Sequence, residues 1–228
     1  MNKKIRFNVA LSLALLFHIS GLIGILFTTH KDWFIQNTCL HLLLMAGLLV
    51  FTHPVKDKRF FVFFIVAFVI GFIAEVIGVN TGFIFGAYSY GNVLGIKLFR
   101  APLIIGINWF IIVYCAGMFT QAYENYLLRK INEKGIIIKN QMMFASFIID
   151  ATVLVFMFDW IMEPVAVKLG YWQWVNNNIP LYNYISWIII SSGLLIVFRK
   201  LNRNQHNIFA VHLFIIQVLF FVVLRTFL

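Results

Sequence analysis

Seven apolar stretches follow one another along the chain, at about 7–27, 38–53, 60–79, 102–122, 143–163, 184–198 and 207–227, with short polar segments between them. Each is about long enough to cross a bilayer as a helix, although the second and sixth are short. The pattern predicts an all-α integral membrane protein of about seven transmembrane helices. It forms one polytopic membrane domain over 1–228, without a Pro/Ser linker, a low-complexity tail or a charge block. The opening Lys3-Lys4-Ile5-Arg6 has the look of a signal peptide. The apolar run from Phe7 to about Phe27 is too long for its core, however, and no A-x-A site follows, so it reads as the first membrane helix.

Composition strengthens this picture. Of the 228 residues, 62% are hydrophobic and 11% charged, and the mean hydropathy is +0.91. A soluble domain of this size could not hide so much apolar surface. The net charge of +10 would suggest nucleic acid on a soluble protein, but here the cations sit in short loops and report topology instead. Thirteen fall at the N-terminus (Lys3, Lys4, Arg6) and in the loops after spans two (Lys56, Lys58, Arg59), four (Arg129, Lys130, Lys134, Lys139) and six (Arg199, Lys200, Arg203). Five (Lys31, Lys97, Arg100, Lys168, Arg225) fall on the other side. The bias places the N-terminus in the cytoplasm of a multi-pass cell-membrane protein, and the long loops at about 80–101 and 164–183 outside. No nucleic-acid partner is expected. Cys39 and Cys115 lie inside apolar spans, with no metal or disulfide spacing, and read as packing residues.

Two stretches resemble each other. One reads Glu75, Gly86-Ala87-Tyr88-Ser89-Tyr90, Pro102-Leu103, Trp109; the other reads Glu163, Gly170-Tyr171-Trp172-Gln173-Trp174, Pro180-Leu181, Trp187. The Pro-to-Trp spacing is seven in both, whereas the Glu-to-Gly spacing is eleven and seven. Each copy is helix, outer loop, helix. Spans 3–4 and 5–6 are therefore expected to form parallel repeats about an axis along the membrane normal, with a site at their interface.

The chain has eight acidic residues, and Glu75, Asp150, Asp159 and Glu163 lie in or at the ends of apolar spans. A carboxylate in hydrocarbon is costly, so such groups usually face the bundle interior and serve function. Asp159 and Glu163 are four apart and share a helix face. With Glu75 they are expected near the outer ends of their spans, at one depth. Asp150 lies about half a turn round and deeper, and is expected to pair with another helix. Tyr88, Tyr90, Trp172 and Trp174 suit an interfacial belt, but the repeated spacing favours a site. Asn108, Trp109, Asn183 and Trp187, at the starts of spans 4 and 6, are placed to roof a pocket between the repeats.

These residue types point away from redox chemistry. The six histidines (His18, His30, His41, His53, His206, His212) are scattered, and no Gly-rich dinucleotide fingerprint follows a strand. Buried carboxyls can hold and transfer a proton, and aromatic faces stabilise a nearby cation, which suits acid-initiated carbocation chemistry.

At these residues the sequence resembles a known family. The string Glu75-x-x-Gly78-x-x-Thr81-Gly82-x-x-Phe85-Gly86-x-Tyr88-x-Tyr90, followed by Leu94-Gly95, Pro102 and Asn108-Trp109, is similar to the carotenoid biosynthesis membrane proteins of the CruF type. So is Asp159-x-x-x-Glu163-Pro164 through Gly170-x-Trp172-x-Trp174 to Pro180-Leu181-x-Asn183-x-x-x-Trp187. The resemblance covers about 75–187. It implies a carotenoid 1′,2′-hydratase, which turns the ψ end of a γ-carotene or lycopene-like carotenoid into a tertiary alcohol without cofactor or metal. Its partners would be a membrane-dissolved carotenoid, the lipid bilayer and other carotenoid-pathway enzymes. The residue roles come from chemistry. Glu75 or Glu163 protonates C-2′, leaving a cation at C-1′. Tyr88, Tyr90, Trp109, Trp172 and Trp174 shield that cation, and Asp159 or the other glutamate deprotonates the attacking water. The rival readings are an intramembrane prenyl transferase using Asp159-x-x-x-Glu163, a proton-coupled transporter, and a non-catalytic carotenoid-binding protein.

Overall fold

The computed structural model describes residues 2–53, 58–133, 139–202 and 205–228. Lys56, Lys134 and Arg203, used above to assign sidedness, lie outside the described residues. The helices are Lys3–Phe27 (α1), Lys31–Gln36 (α2), Thr38–Thr52 (α3), Lys58–Thr81 (α4), Ile104–Asn132 (α5), Asn140–Lys168 (α6), Leu181–Leu201 (α7) and Ile208–Phe227 (α8). Six of them, all but α2 and α3, are long and apolar enough to cross a membrane. The apolar α3 has 15 residues. That is about 22 Å, short of the roughly 30 Å hydrocarbon core. The chain is therefore a multi-pass, all-α membrane protein. Its helix starts follow local chemistry. The side chains of Asn2 and Asn207 accept from the backbone N–H groups of Lys4 and Ala210, capping α1 and α8.

The centre of the bundle is α5, which packs against α3, α4, α6, α7 and α8. Its residues Trp109 to Ala116 are almost wholly buried. The loop after α4 carries a short strand, Tyr88–Tyr90 (β1), and then a two-stranded hairpin of Lys97–Leu98 (β2) and Ala101–Pro102 (β3). The loop after α6 carries Trp172–Trp174 (β4). Strands β1 and β4 pair antiparallel, with Tyr88 opposite Trp174, Ser89 opposite Gln173 and Tyr90 opposite Trp172. That pairing brings both loops to one end of the bundle. Helices α4 and α6 therefore run toward it, and α5 and α7 run away.

The neighbour relations carry the same two-fold pattern. The pairs α4–α5 and α6–α7 pack within each copy, and α5–α6 and α4–α7 pack between copies. Exchanging α4 with α6 and α5 with α7 leaves this set unchanged, and the β1–β4 register maps onto itself about Ser89 and Gln173. These relations match the repeat expected from the sequence.

The structure differs from the sequence reading in three places. Helices α5 and α6 are each 29 residues long and overrun the apolar stretches 102–122 and 143–163. Beyond 122 the extra turns of α5 are largely polar, and a pair between Arg199 of α7 and Glu124 of α5, at 2.7 Å, ties α5 to α7 there, whereas the overrun of α6 past 163 is apolar and buried at Val165 and Ala166. Asp150 is exposed and accepts from Ser146, one turn back on its own helix, rather than from another helix. It lies eighteen residues before Lys168, about 27 Å along α6, which puts it near the far edge of the hydrocarbon.

The third difference concerns the loop expected to begin at 164, which begins only after Lys168 because α6 continues through Pro164. Proline has no N–H for the carbonyl of Trp160, four residues back. Arg225 of α8 supplies the missing donor, with Nη1 2.7 Å from that oxygen and the guanidinium 4.0 Å from the Trp160 ring centre. Arg225→Leu should therefore destabilise the fold by about 1 kcal/mol, since the site is partly exposed. In a Pro164→Ala background, where the helix regains its own N–H, the cost should largely disappear. Thermal unfolding of the four proteins of this cycle checks it.

Candidate functional site

Two glycines prepare the site. Gly86 and Gly170 open the two Gly-x-aromatic-x-aromatic strings, and both adopt positive φ, +103° and +72°. A side chain is strained in that region, so glycine turns the chain from helix end to strand at low cost. Along a strand, alternate residues face one side. Tyr88, Tyr90, Trp172 and Trp174 accordingly face inward, while Ser89 and Gln173 face out.

Each pair reaches the glutamate of its own repeat. The hydroxyls of Tyr88 and Tyr90 both donate to Glu75 Oε2 at 2.6 Å, and Trp109 Nε1 of α5 donates to Glu75 Oε1 at 3.0 Å. The indoles of Trp172 and Trp174 donate to Glu163 Oε2 at 3.0 and 3.1 Å. Asn183 of α7 donates through Nδ2 to Glu163 Oε1 at 3.2 Å and to Asp159 Oδ2 at 3.1 Å. Asp159 Oδ1 is buried without a partner among the described residues. All three carboxyl groups are buried, and none is ion-paired among the described residues. Burial, reinforced by the Glu75 carboxylate, pushes the Tyr88 and Tyr90 phenols well above their ordinary value, so both keep their protons and remain donors.

The two halves meet face to face. Trp109 stacks on Trp187 with ring centres 3.9 Å apart and planes 16° apart. Glu75 and Glu163 line one cavity of about 20 Å³. That is room for roughly one water. Ile105, Asn108 and Trp172 line this cavity and also a partly open, mainly apolar cleft of about 550 Å³ between α1, α3, α6 and α8. The cleft is of the size that encloses a small organic ligand.

The structure thus brings all eleven residues singled out in the sequence to one place. Glu75, Tyr88, Tyr90 and Trp109 form one half; Asp159, Glu163, Trp172, Trp174 and Asn183 form the other; Trp187 and Asn108 lie between them. The five aromatics also do something the sequence did not suggest: their O–H and N–H edges hold the carboxylates of Glu75 and Glu163. The sequence reading missed the cleft. Its walls include Phe34, His41, Tyr171 and Gln217, and Tyr171 is anchored to Thr38 by a 2.9 Å hydrogen bond between hydroxyls.

A family model described as carotenoid biosynthesis protein matches residues 36–228. The chain belongs to that family, and its role lies in carotenoid biosynthesis. Comparison with curated proteins gave no match, and comparison with solved structures gave none.

Proposed function

From membership in the carotenoid biosynthesis family, we propose that this chain is a carotenoid 1′,2′-hydratase of the cell membrane. It adds water to the terminal double bond of a γ-carotene or lycopene-type carotenoid. The observation that carries this reading is the one-water cavity between two buried glutamates, walled by the same Asn108 and Trp172 that end the apolar cleft. The cleft takes the hydrocarbon end, and the carboxyl groups handle protons.

Hydrogen-bond chemistry separates their roles. Glu163 accepts only from two indoles and an amide N–H, groups that cannot accept in return. Its partners therefore match the ionised form. Two of the donors to Glu75 are hydroxyls, which both donate and accept, and they also interact with each other. A proton on Glu75 is accommodated by turning one hydroxyl. Glu75 then gives its proton to C-2′, and the π electrons of the double bond form the new C–H bond, leaving a tertiary cation at C-1′. Water adds its oxygen lone pair to C-1′ and loses a proton to Glu163. Asp159 shares the Asn183 amide donor with Glu163, and the proton that Glu163 takes returns to Glu75 through water in the cavity that both line, which resets the pair. One water is consumed and no electron is gained or lost overall.

Membranes carrying the chain, supplied with γ-carotene or lycopene in D2O, test this. The expected product is heavier by one water and carries one carbon-bound deuterium at C-2′. A chain that leaves the carotenoid unchanged, or an alcohol without carbon-bound deuterium, would refute the reading.

A further inference from the structure

The large cleft has a polar end that the carboxylate site does not use. His18 of α1, His41 of α3 and Gln217 of α8 line it together, on three helices far apart in the chain. Their surroundings are apolar, with Phe158, Phe220 and Phe221 in the same wall. His18 and Gln217 are more than nine-tenths buried, at 4% and 5% exposed. His18 Nδ1 lies 2.7 Å from the carbonyl oxygen of Ala14. A carbonyl only accepts, so Nδ1 carries the hydrogen and Nε2 is the ring atom left for a ligand. The His18 and His41 rings meet edge to face, with centres 4.5 Å apart. Gln217 Oε1 and His41 Nε2 are both buried without a hydrogen-bond partner among the described residues. Buried polar atoms are nearly always paired, so unpaired ones grouped in the wall of a cleft call for a partner from outside the chain.

The geometry points to a binding subsite for a hydroxyl group carried by a long isoprenoid lipid. A hydroxyl donates one hydrogen bond and accepts others. It can donate to Gln217 Oε1 and accept from a His41 N–H. A ketone would leave Gln217 Oε1 unpaired. An ammonium would bring a charge with no counter-ion into an apolar wall. The rest of the cleft is mainly apolar, and Ser20, Asn37, Thr38 and Tyr171 in its wall already hydrogen-bond within the chain, so the occupant is mainly hydrocarbon beyond its hydroxyl. The identity of that occupant rests on the proposed function. On that reading it is the hydroxylated product, which takes the cleft by its new hydroxyl, clear of the carboxyl groups, after the hydrocarbon end of the substrate has reacted.

The test uses the purified full-length chain in lipid nanodiscs and two probes, geranylgeraniol and the matching hydrocarbon that lacks its hydroxyl. Binding is followed by quenching of tryptophan fluorescence. The alcohol is expected to bind about tenfold more tightly than the hydrocarbon. Gln217→Leu and His41→Phe, made separately, should each bring the ratio of the two affinities below threefold. Equal affinities in the wild type, or a preference that survives both substitutions, would overturn the subsite. Glu163→Gln, which removes the proposed base, should keep the preference. An alcohol preference in a chain unable to hydrate any carotenoid would uphold the subsite and remove the hydratase reading. An active hydratase without that preference would do the reverse.

Discussion

Glu75→Gln is expected to lower carotenoid hydration by about 10²–10⁴-fold, the range ordinarily supplied by a positioned acid or base. Glutamine keeps the shape of the side chain and can still accept from Trp109, so the fold should survive, but it has no proton to give to carbon. Glu163→Gln should give a comparable loss of alcohol for a different reason. Its amide replaces one acceptor oxygen with an N–H₂ group facing donors, and it cannot take a proton from water. The two variants therefore separate in D2O. With Glu163→Gln, Glu75 still protonates C-2′, and the trapped cation reverts by losing a proton, so recovered carotenoid should acquire carbon-bound deuterium. With Glu75→Gln, neither product nor recovered carotenoid should carry it. Full yield of the alcohol from both variants would defeat the assignment. Label in carotenoid recovered from Glu75→Gln, but not from Glu163→Gln, would exchange the roles of acid and base.

Much of this site was legible in the sequence because its parts are repeated at short range. A glutamate near a helix end, a glycine and two alternating aromatics recur in both halves, and strand periodicity then dictates that each aromatic pair faces one way. What could not be read is what depends on residues distant in the chain. His18, His41 and Gln217 meet only because α1, α3 and α8 pack side by side, and nothing in their spacing announces it. The continuation of α6 through Pro164 is of the same kind. Locally, a proline argues for a helix boundary, but a guanidinium 61 positions later takes up the carbonyl that the proline leaves bare. Asp150 shows the opposite error. An acid inside an apolar window suggested a partner on another helix, whereas the length of α6 carries it to the edge of the membrane.

The second large effect is expected at a residue that touches no reacting group. Gly71→Ala should lower the hydration rate about 10²-fold, the scale of a misplacement near 1 Å at a catalytic group. It should also destabilise the protein by about 1–3 kcal/mol. Gly71 lies one helical turn before Glu75 on α4, and the Trp109 side chain rests directly on it. A β-carbon there would collide with Trp109 Cβ and Cγ, at the root of the side chain. Atoms so close to the backbone cannot swing aside, so the strain passes to α5 or to the ring. The ring has no slack, because Trp109 is fully buried, stacked on Trp187 and bonded to Glu75. Tilting it lengthens the hydrogen bond to Glu75 Oε1 and disturbs the contact that joins the two repeats. Gly47 is the control. A β-carbon there meets nothing within 4 Å. In the interior of α3, Gly47→Ala should therefore be neutral or stabilising by about 0.5–1 kcal/mol. Rates and unfolding temperatures of both variants, measured in the same membranes, decide the matter. A wild-type rate for Gly71→Ala would mean that Trp109 does not position Glu75.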